Sequence, residues 1–271
     1  MKQKGYNPFM KIRYYLNVWI KIVQASLSRA VAYRLEVIAR TFRGVFLVAV
    51  QIIFLNAIAG SSKSFAGWTI DQLYLITGIF NLITYTAWAT FSINLWRLEE
   101  KLMKGEFDFI LLKPMSSIFG ASFTEFFIDD FMSVISGIIL IGYYIAMHWS
   151  EIPVYGYFAT LFMIIIGILL WYSWDLIISS FDFFILKNGF RSIKEQFNST
   201  ARFPTGIWSS NLQVFFYVIF PAAFMGTVPA QFLIGNISYM FLVYGFVLAI
   251  IFLFIARSIW NLCIRNYTSV G

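Results

Sequence analysis

Long apolar runs separated by short polar clusters set the pattern of this chain. Six runs, at 42–60, 70–96, 131–149, 154–174, 211–228 and 238–256, each supply enough residues for a membrane-crossing helix. About 20 helical residues span a hydrocarbon core roughly 30 Å thick. The pattern predicts an all-α polytopic membrane protein with six transmembrane helices. Ahead of the first run, Ile12, Tyr15, Leu16, Trp19, Ile22, Val23 and Leu27 recur at three- and four-residue spacing. Lys11, Arg13, Asn17, Lys21, Gln24 and Ser28 take the other face. A basic face opposite an aromatic-aliphatic one predicts an interfacial helix over 6–30.

The stretch 212–237 carries no charge but is cut by Pro221, Gly226 and Pro229. Its length and its prolines predict a span over 211–228, then a short re-entrant hairpin at 229–236 on the outer side. The longest charged loop, RLEEKLMKGEFDFILLKP at 97–114, holds four bases and four acids. Glu100 and Lys104 stand four apart, the favourable order for a short helix. Gly105 is placed to end that helix, and Pro114 stops the FDFILL run. A tight turn needs far fewer residues, so the loop is expected to be a docking surface for a cytoplasmic partner, with a solvated linker as the alternative. A second polar segment, 187–210, reads as a cytoplasmic connector.

Charge orients the chain. Of 20 Lys and Arg residues, only Lys63 falls in an alternate loop; the other nineteen lie before the first span, in 97–114, in 187–210 or after the last span. Positive charge is retained on the cytoplasmic side, so both termini are expected there. The net charge of +7 then faces anionic headgroups rather than nucleic acid. The chain is 60% hydrophobic with mean hydropathy +0.75, and 12% charged against about 25% in soluble domains. No cleavable signal peptide is expected.

Catalytic and metal chemistry are poorly represented. No Gly-Lys pair occurs, so a P-loop is excluded. His148 is the one histidine and Cys263 the one cysteine, too few for a His- or Cys-rich metal site or an intrachain disulfide. A Ser-His-Asp arrangement would have to rely on His148 and Asp71 alone. Glu125, Asp129, Asp130, Asp175 and Asp182 flank spans 3 and 4, and no Lys or Arg inside those spans neutralises them. They are expected at the interface or at a cavity mouth, with a proton path as the alternative; whether they touch substrate stays open.

Three segments resemble the membrane subunit of the type-2 ATP-binding-cassette (ABC) exporters, the six-span bacterial branch lacking its own ATPase. KGEFDFILLKPMSS, at Lys104–Ser117, is similar to that family's glycine, aspartate, Leu-Leu, base, proline segment at Gly105, Asp108, Leu111, Leu112, Lys113 and Pro114. The segment Ala201–Gly235 looks like its Ala-Arg-aromatic-Pro entry to span 5 and proline-cut outer hairpin, with Trp208 as a mild departure. The ending Trp260–Gly271 resembles the family terminus, with Cys263 where glycine is common.

The resemblance implies a permease in the bacterial cell membrane that is not itself an enzyme. It would pair with a second permease, the same chain or a sister, along spans 1 and 5. Two copies of a cytoplasmic ABC ATPase would dock beneath, carrying the ATP and Mg, and no cofactor would be bound by this chain. The docking residues would be Glu99, Glu100, Lys101, Lys104, Gly105, Glu106, Asp108, Lys113 and Pro114, forming a coupling helix. The N-terminal helix would brace the bundle as an elbow, and Pro221, Gly226 and Pro229 would shape an outer cap. The mostly apolar path suits amphiphilic or hydrophobic cargo or peptides. A proton-coupled secondary transporter and a non-transporting assembly protein are the competing readings.

Overall fold

The computed structural model describes residues 8–60, 64–185 and 189–267. Lys63, Lys187, the first residues of the elbow segment and the last four of the terminal motif lie outside them. The elements are helices α1 (Pro8–Ala32), α2 (Arg34–Ala59), α3 (Ile70–Ala87), α4 (Ile93–Trp96), α5 (Leu98–Met103), α6 (Phe107–Leu111), α7 (Ser117–Ser122), α8 (Ile128–His148), α9 (Val154–Ser180), α10 (Phe190–Thr200), α11 (Ser210–Val214), α12 (Thr227–Ile234) and α13 (Met240–Arg265). A two-stranded antiparallel ribbon, β1 (Ser64–Phe65) with β2 (Trp68–Thr69), joins α2 to α3. Thr69 then starts α3 through a reciprocal capping box, its hydroxyl accepting from the Gln72 N–H while the Gln72 side chain accepts from its own.

Four of the described helices are long and apolar enough to cross a membrane: α2, α8, α9 with its extension to Phe183, and α13. Helices α3 and α4 make one helical path over 70–96, interrupted by a π-turn at Trp88–Ser92. The apolar run at 70–96 is therefore helical, though not as a single regular α-helix.

Helix α9 sits at the centre. Apolar residues surround it on most sides, as in a buried helix rather than an amphipathic one. Leu75, Ile79, Ile83, Trp171, Phe224 and Phe232 of α3, α9 and the 222–234 segment are shielded together. Helix α8 lies on α3 at close range. A Cβ added at Gly137 would stand 2.6 Å from the Gly78 carbonyl oxygen and 2.7 Å from the Leu82 nitrogen. Small residues let membrane helices approach and pack in this way. The outer faces of α2 (Ile38, Phe42, Val45, Ile53) and α13 (Val243, Val247, Ile250, Phe254) remain exposed and apolar.

Two segments differ from the sequence expectation. No single helix runs over 211–228. Helix α11 and a π-turn at Phe215–Ile219 end at Phe220–Pro221, a short 3-10 turn (Ala222–Met225) follows, and α12 crosses the boundary expected between span and hairpin. The second is 187–210. Within this connector lies α10, whose Lys194 and Asn198 are buried against the bundle, a packing that the polar sequence did not announce. The end of α10 abuts the start of α12: a Cβ on Gly226 would collide with the Ala201 carbonyl oxygen. Hydrogen bonding joins them again just beyond, where the Thr205 N–H donates to the Thr227 hydroxyl (3.1 Å). Residues 202–225 thus run as an irregular excursion between α10 and α12, with Phe220 and Ala222–Met225 packed into the core. Irregular backbone of this kind is tolerated where protein buries it.

Candidate functional site

The 97–114 loop folds as two short helices around a turn, and its faces divide sharply. Leu98, Leu102, Phe107 and Ile110 point inward. The Phe107 ring meets Phe183 (5.1 Å between centroids), Tyr267 (5.5 Å) and Trp260 (6.3 Å), anchoring the loop to the ends of α9 and α13. Trp260 is held in turn by its indole N–H donating to Ser117 Oγ (3.2 Å). Gly105 takes a positive φ of 70°, which ends α5 as its glycine predicts.

Of the expected docking residues, Glu100, Lys104, Glu106, Lys113 and Pro114 are exposed. The Glu100–Lys104 pair forms at 2.6 Å, and the Lys104 hydrogen bond holds the Glu100 carboxyl below its usual range. Glu99, Gly105 and Asp108 are half-buried. Lys101 turns away from the surface; its ammonium donates to Thr124 Oγ1 (3.0 Å), and burial lowers its pKa. The loop also presents residues that the charge pattern overlooked. Leu112 is 81% exposed and Phe109 68%, beside Met103 and Leu111. With Phe107 and Ile110 facing inward, helical spacing alone places 109 and 112 on the opposite side. Apolar residues ringed by charge on an outer face mark an interaction site.

Behind the loop, α4, α9 and α10 are tied by buried charge. Asp175 accepts from Lys194 Nζ and from Ser92 Oγ, and the Trp171 indole donates to that same Ser92 oxygen (3.1 Å). Lys194 also lies 4.8 Å from the Trp171 ring centroid and 2.9 Å from Glu195. One turn lower, Arg191 pairs with Asp182 and donates to the carbonyls of Leu95 and Trp96, which close α4. A cavity of about 240 Å³ opens beside these groups, lined by Trp88, Trp96 and Gln196 as well as by the charged residues.

The five acids divide: Glu125 and Asp130 are half-buried, and Asp175 lines the cavity just described, as a cavity-mouth position requires. Asp129, Asp175 and Asp182 are buried, and their countercharges arrive from other elements: Arg40 of α2 for Asp129 (3.1 Å), and α10 for the other two. Glu125 bridges Arg97 (2.9 Å) and Arg29 (3.5 Å). Asp130 is half-buried and has no ion pair among the described residues. On the other side, His148 lies 3.4 Å from Asp71 and 3.3 Å from Glu151. No cluster of His, Cys, Asp and Glu among the described residues has the geometry to hold a metal.

Pro221, Gly226 and Pro229 are all buried. The Pro229 carbonyl accepts from Thr160 Oγ1 on α9 (3.0 Å), so this segment is packed into the bundle.

No curated protein and no solved structure matches the chain. Residues 45–271 match the family described as ABC-2 family transporter protein. That match takes in the second half of α2, all of α8, α9 and α13, the two-helix loop and the broken segment, and the chain belongs to this family of membrane permease subunits of ABC transporters.

Proposed function

We propose that this chain is the transmembrane subunit of an ATP-driven exporter for amphiphilic or hydrophobic compounds or peptides. It works with a second permease and two separate ATPase subunits, in a bacterial cell membrane, with six spans and both termini in the cytoplasm. One observation carries the reading furthest: an exposed apolar patch, Phe109 and Leu112, on a charged loop whose underside is bolted to the core. Such a loop can receive a partner and transmit its movement without folding away.

The transmission has a material path. The loop begins directly after the carbonyls of Leu95 and Trp96, which Arg191 grips. Displacement of α5 therefore pulls on α10, and the end of α10 abuts the break at Gly226. A rigid-body shift at the loop thus reaches the interrupted half-helices, the sort of bistable element that alternating access needs. The exposed faces of α2 and α13 are available for lipid or for the second permease. A proton-coupled mechanism is disfavoured because Asp129, Asp175 and Asp182 are each engaged by a base.

Replacing Leu112 with Asp should weaken recovery of the ATPase about tenfold, a loss of about 1.4 kcal/mol, as expected for a central apolar contact. Pull-down from native membranes with quantification of the P-loop ATPase reads it. Undiminished recovery with both Leu112→Asp and Glu100→Lys would remove the loop from the docking surface. Replacing Pro221 and Pro229 with Ala should alter transport while leaving that recovery intact; lost recovery would make the segment a folding element only.

A further inference from the structure

Helix α1 is more than a passive brace. Its Tyr15 hydroxyl accepts from the Ser116 N–H (3.0 Å), Trp19 packs edge-on against Phe123 and Phe126, and Ser26 Oγ accepts from the Phe126 N–H (3.2 Å). Beside these anchors lies an open cavity of about 440 Å³ between α1 and the segment that joins α7 to α8. Its floor is Val18, Ile22 and Ala25, one stripe of α1 at helical spacing; its rim is Lys21, Arg29, Thr124 and Glu125.

Charge at the rim is out of balance. Lys21 and Arg29 line it beside the one carboxylate, Glu125, while Arg97 holds Glu125 (2.9 Å) and Lys101 holds Thr124 (3.0 Å) from the adjoining loop. Glu125 is already shared between Arg29 and Arg97. Neither Lys21 nor Lys101 has an acid within ion-pair distance among the described residues. Burial penalises the Lys101 ammonium, a cost that a bound anion would offset. The site adjoins the 97–114 loop through Arg97 and Lys101, and Ile12, Leu16, Ile20 and Leu27 leave an exposed apolar surface along the same helix.

We propose that this cavity binds one anionic glycerophospholipid, its phosphate between Lys21 and Arg29 and the upper part of an acyl chain along Val18, Ile22 and Ala25. Basic pockets between membrane helices on the cytoplasmic side take acidic headgroups in this way. The apolar floor selects a lipid over free phosphate, which would gain nothing from it. A zwitterionic headgroup would bring its own ammonium into a site already rich in cations. The lipid would staple α1 to the first residues of the coupling loop, since Arg97 and Lys101 belong to that loop.

The test uses the full chain in detergent, after delipidation, titrated with phosphatidylglycerol, phosphatidylcholine or inorganic phosphate. Bound lipid is counted by intact-complex mass spectrometry, and the melting temperature is followed in parallel. Phosphatidylglycerol should be retained at least tenfold more tightly than phosphatidylcholine and should raise the melting temperature, whereas phosphate should do neither. Lys21→Ala and Ala25→Glu change exposed positions on α1 and should each reduce phosphatidylglycerol retention about tenfold, with unchanged melting in phosphatidylcholine. Equal retention of the two lipids, an equal shift with phosphate, or full retention by both variants would each overturn the assignment. None of these readouts depends on ATPase docking or transport.

Discussion

Replacing Lys194 with Met should destabilise the protein by about 3–5 kcal/mol, the cost of leaving a buried carboxylate without its partner. Lys194 is the cation for Asp175, and both side chains are nearly shielded from solvent (3% and 10% exposed). The methionine fills the aliphatic volume but leaves Asp175 with only the Ser92 hydroxyl. Thermal melting of the purified chain, followed by loss of the monodisperse species, measures the effect. Adding Asp175→Asn should recover most of the loss, because a neutral amide oxygen can still accept from Ser92 without needing a countercharge. A double variant no more stable than Lys194→Met alone would mean that the lysine acts through packing on Trp171, not through charge. The cycle of four proteins separates the two terms.

Adding a side chain at Gly137 is the second large effect. Gly137→Leu should cost about 3 kcal/mol, near the upper end of the usual overpacking range. The reason is that the Cβ alone meets backbone, 2.6 Å from Gly78 O and 2.7 Å from Leu82 N, and neither can rotate aside. The remedy is a wider separation of α3 and α8, which loses packing along both helices. Gly142, five residues on in the same helix, has nothing within 4 Å of a built Cβ. Gly142→Ala should therefore be neutral or stabilising by up to about 1 kcal/mol, from helix propensity alone. Melting curves for the two variants in the same detergent provide the comparison. Equal losses at both sites would refute close α3–α8 packing as the cause.

The two experiments address different layers. The glycine contact concerns how apolar helices come close. The Lys194 pair concerns how a polar helix, α10, is allowed among them. Together with Arg191 on the α4 carbonyls, that pair makes α10 the link between the 97–114 loop and the break at Gly226.

Much of this was legible in the residues. Apolar run lengths predicted the helical membrane class, and the charge pattern predicted the charged loop. Helical spacing predicted α1, which the structure extends over Pro8–Ala32, and the Glu100–Lys104 pair. Gly105 terminated α5 as expected. These features depend on properties of neighbouring residues: period, charge and backbone freedom act within a turn or two.

Tertiary structure decided the rest. Asp175 finds its cation nineteen residues away, and Asp129 finds Arg40 eighty-nine residues away. No local pattern announces such partners, so the acids read as interfacial or at a cavity mouth and 187–210, with its charges, as a cytoplasmic connector. Burial of α10 becomes affordable only once Asp175, Asp182 and the α4 carbonyls are assembled around it. The interrupted 211–228 run is the same case: Pro221 and Gly226 signalled a break, but the junction with Ala201 depends on two chain segments meeting. The sequence by itself determined which segments seek the membrane and which carry charge. Only the fold decided where each charge is neutralised, because pairing energy depends on distance in space and burial.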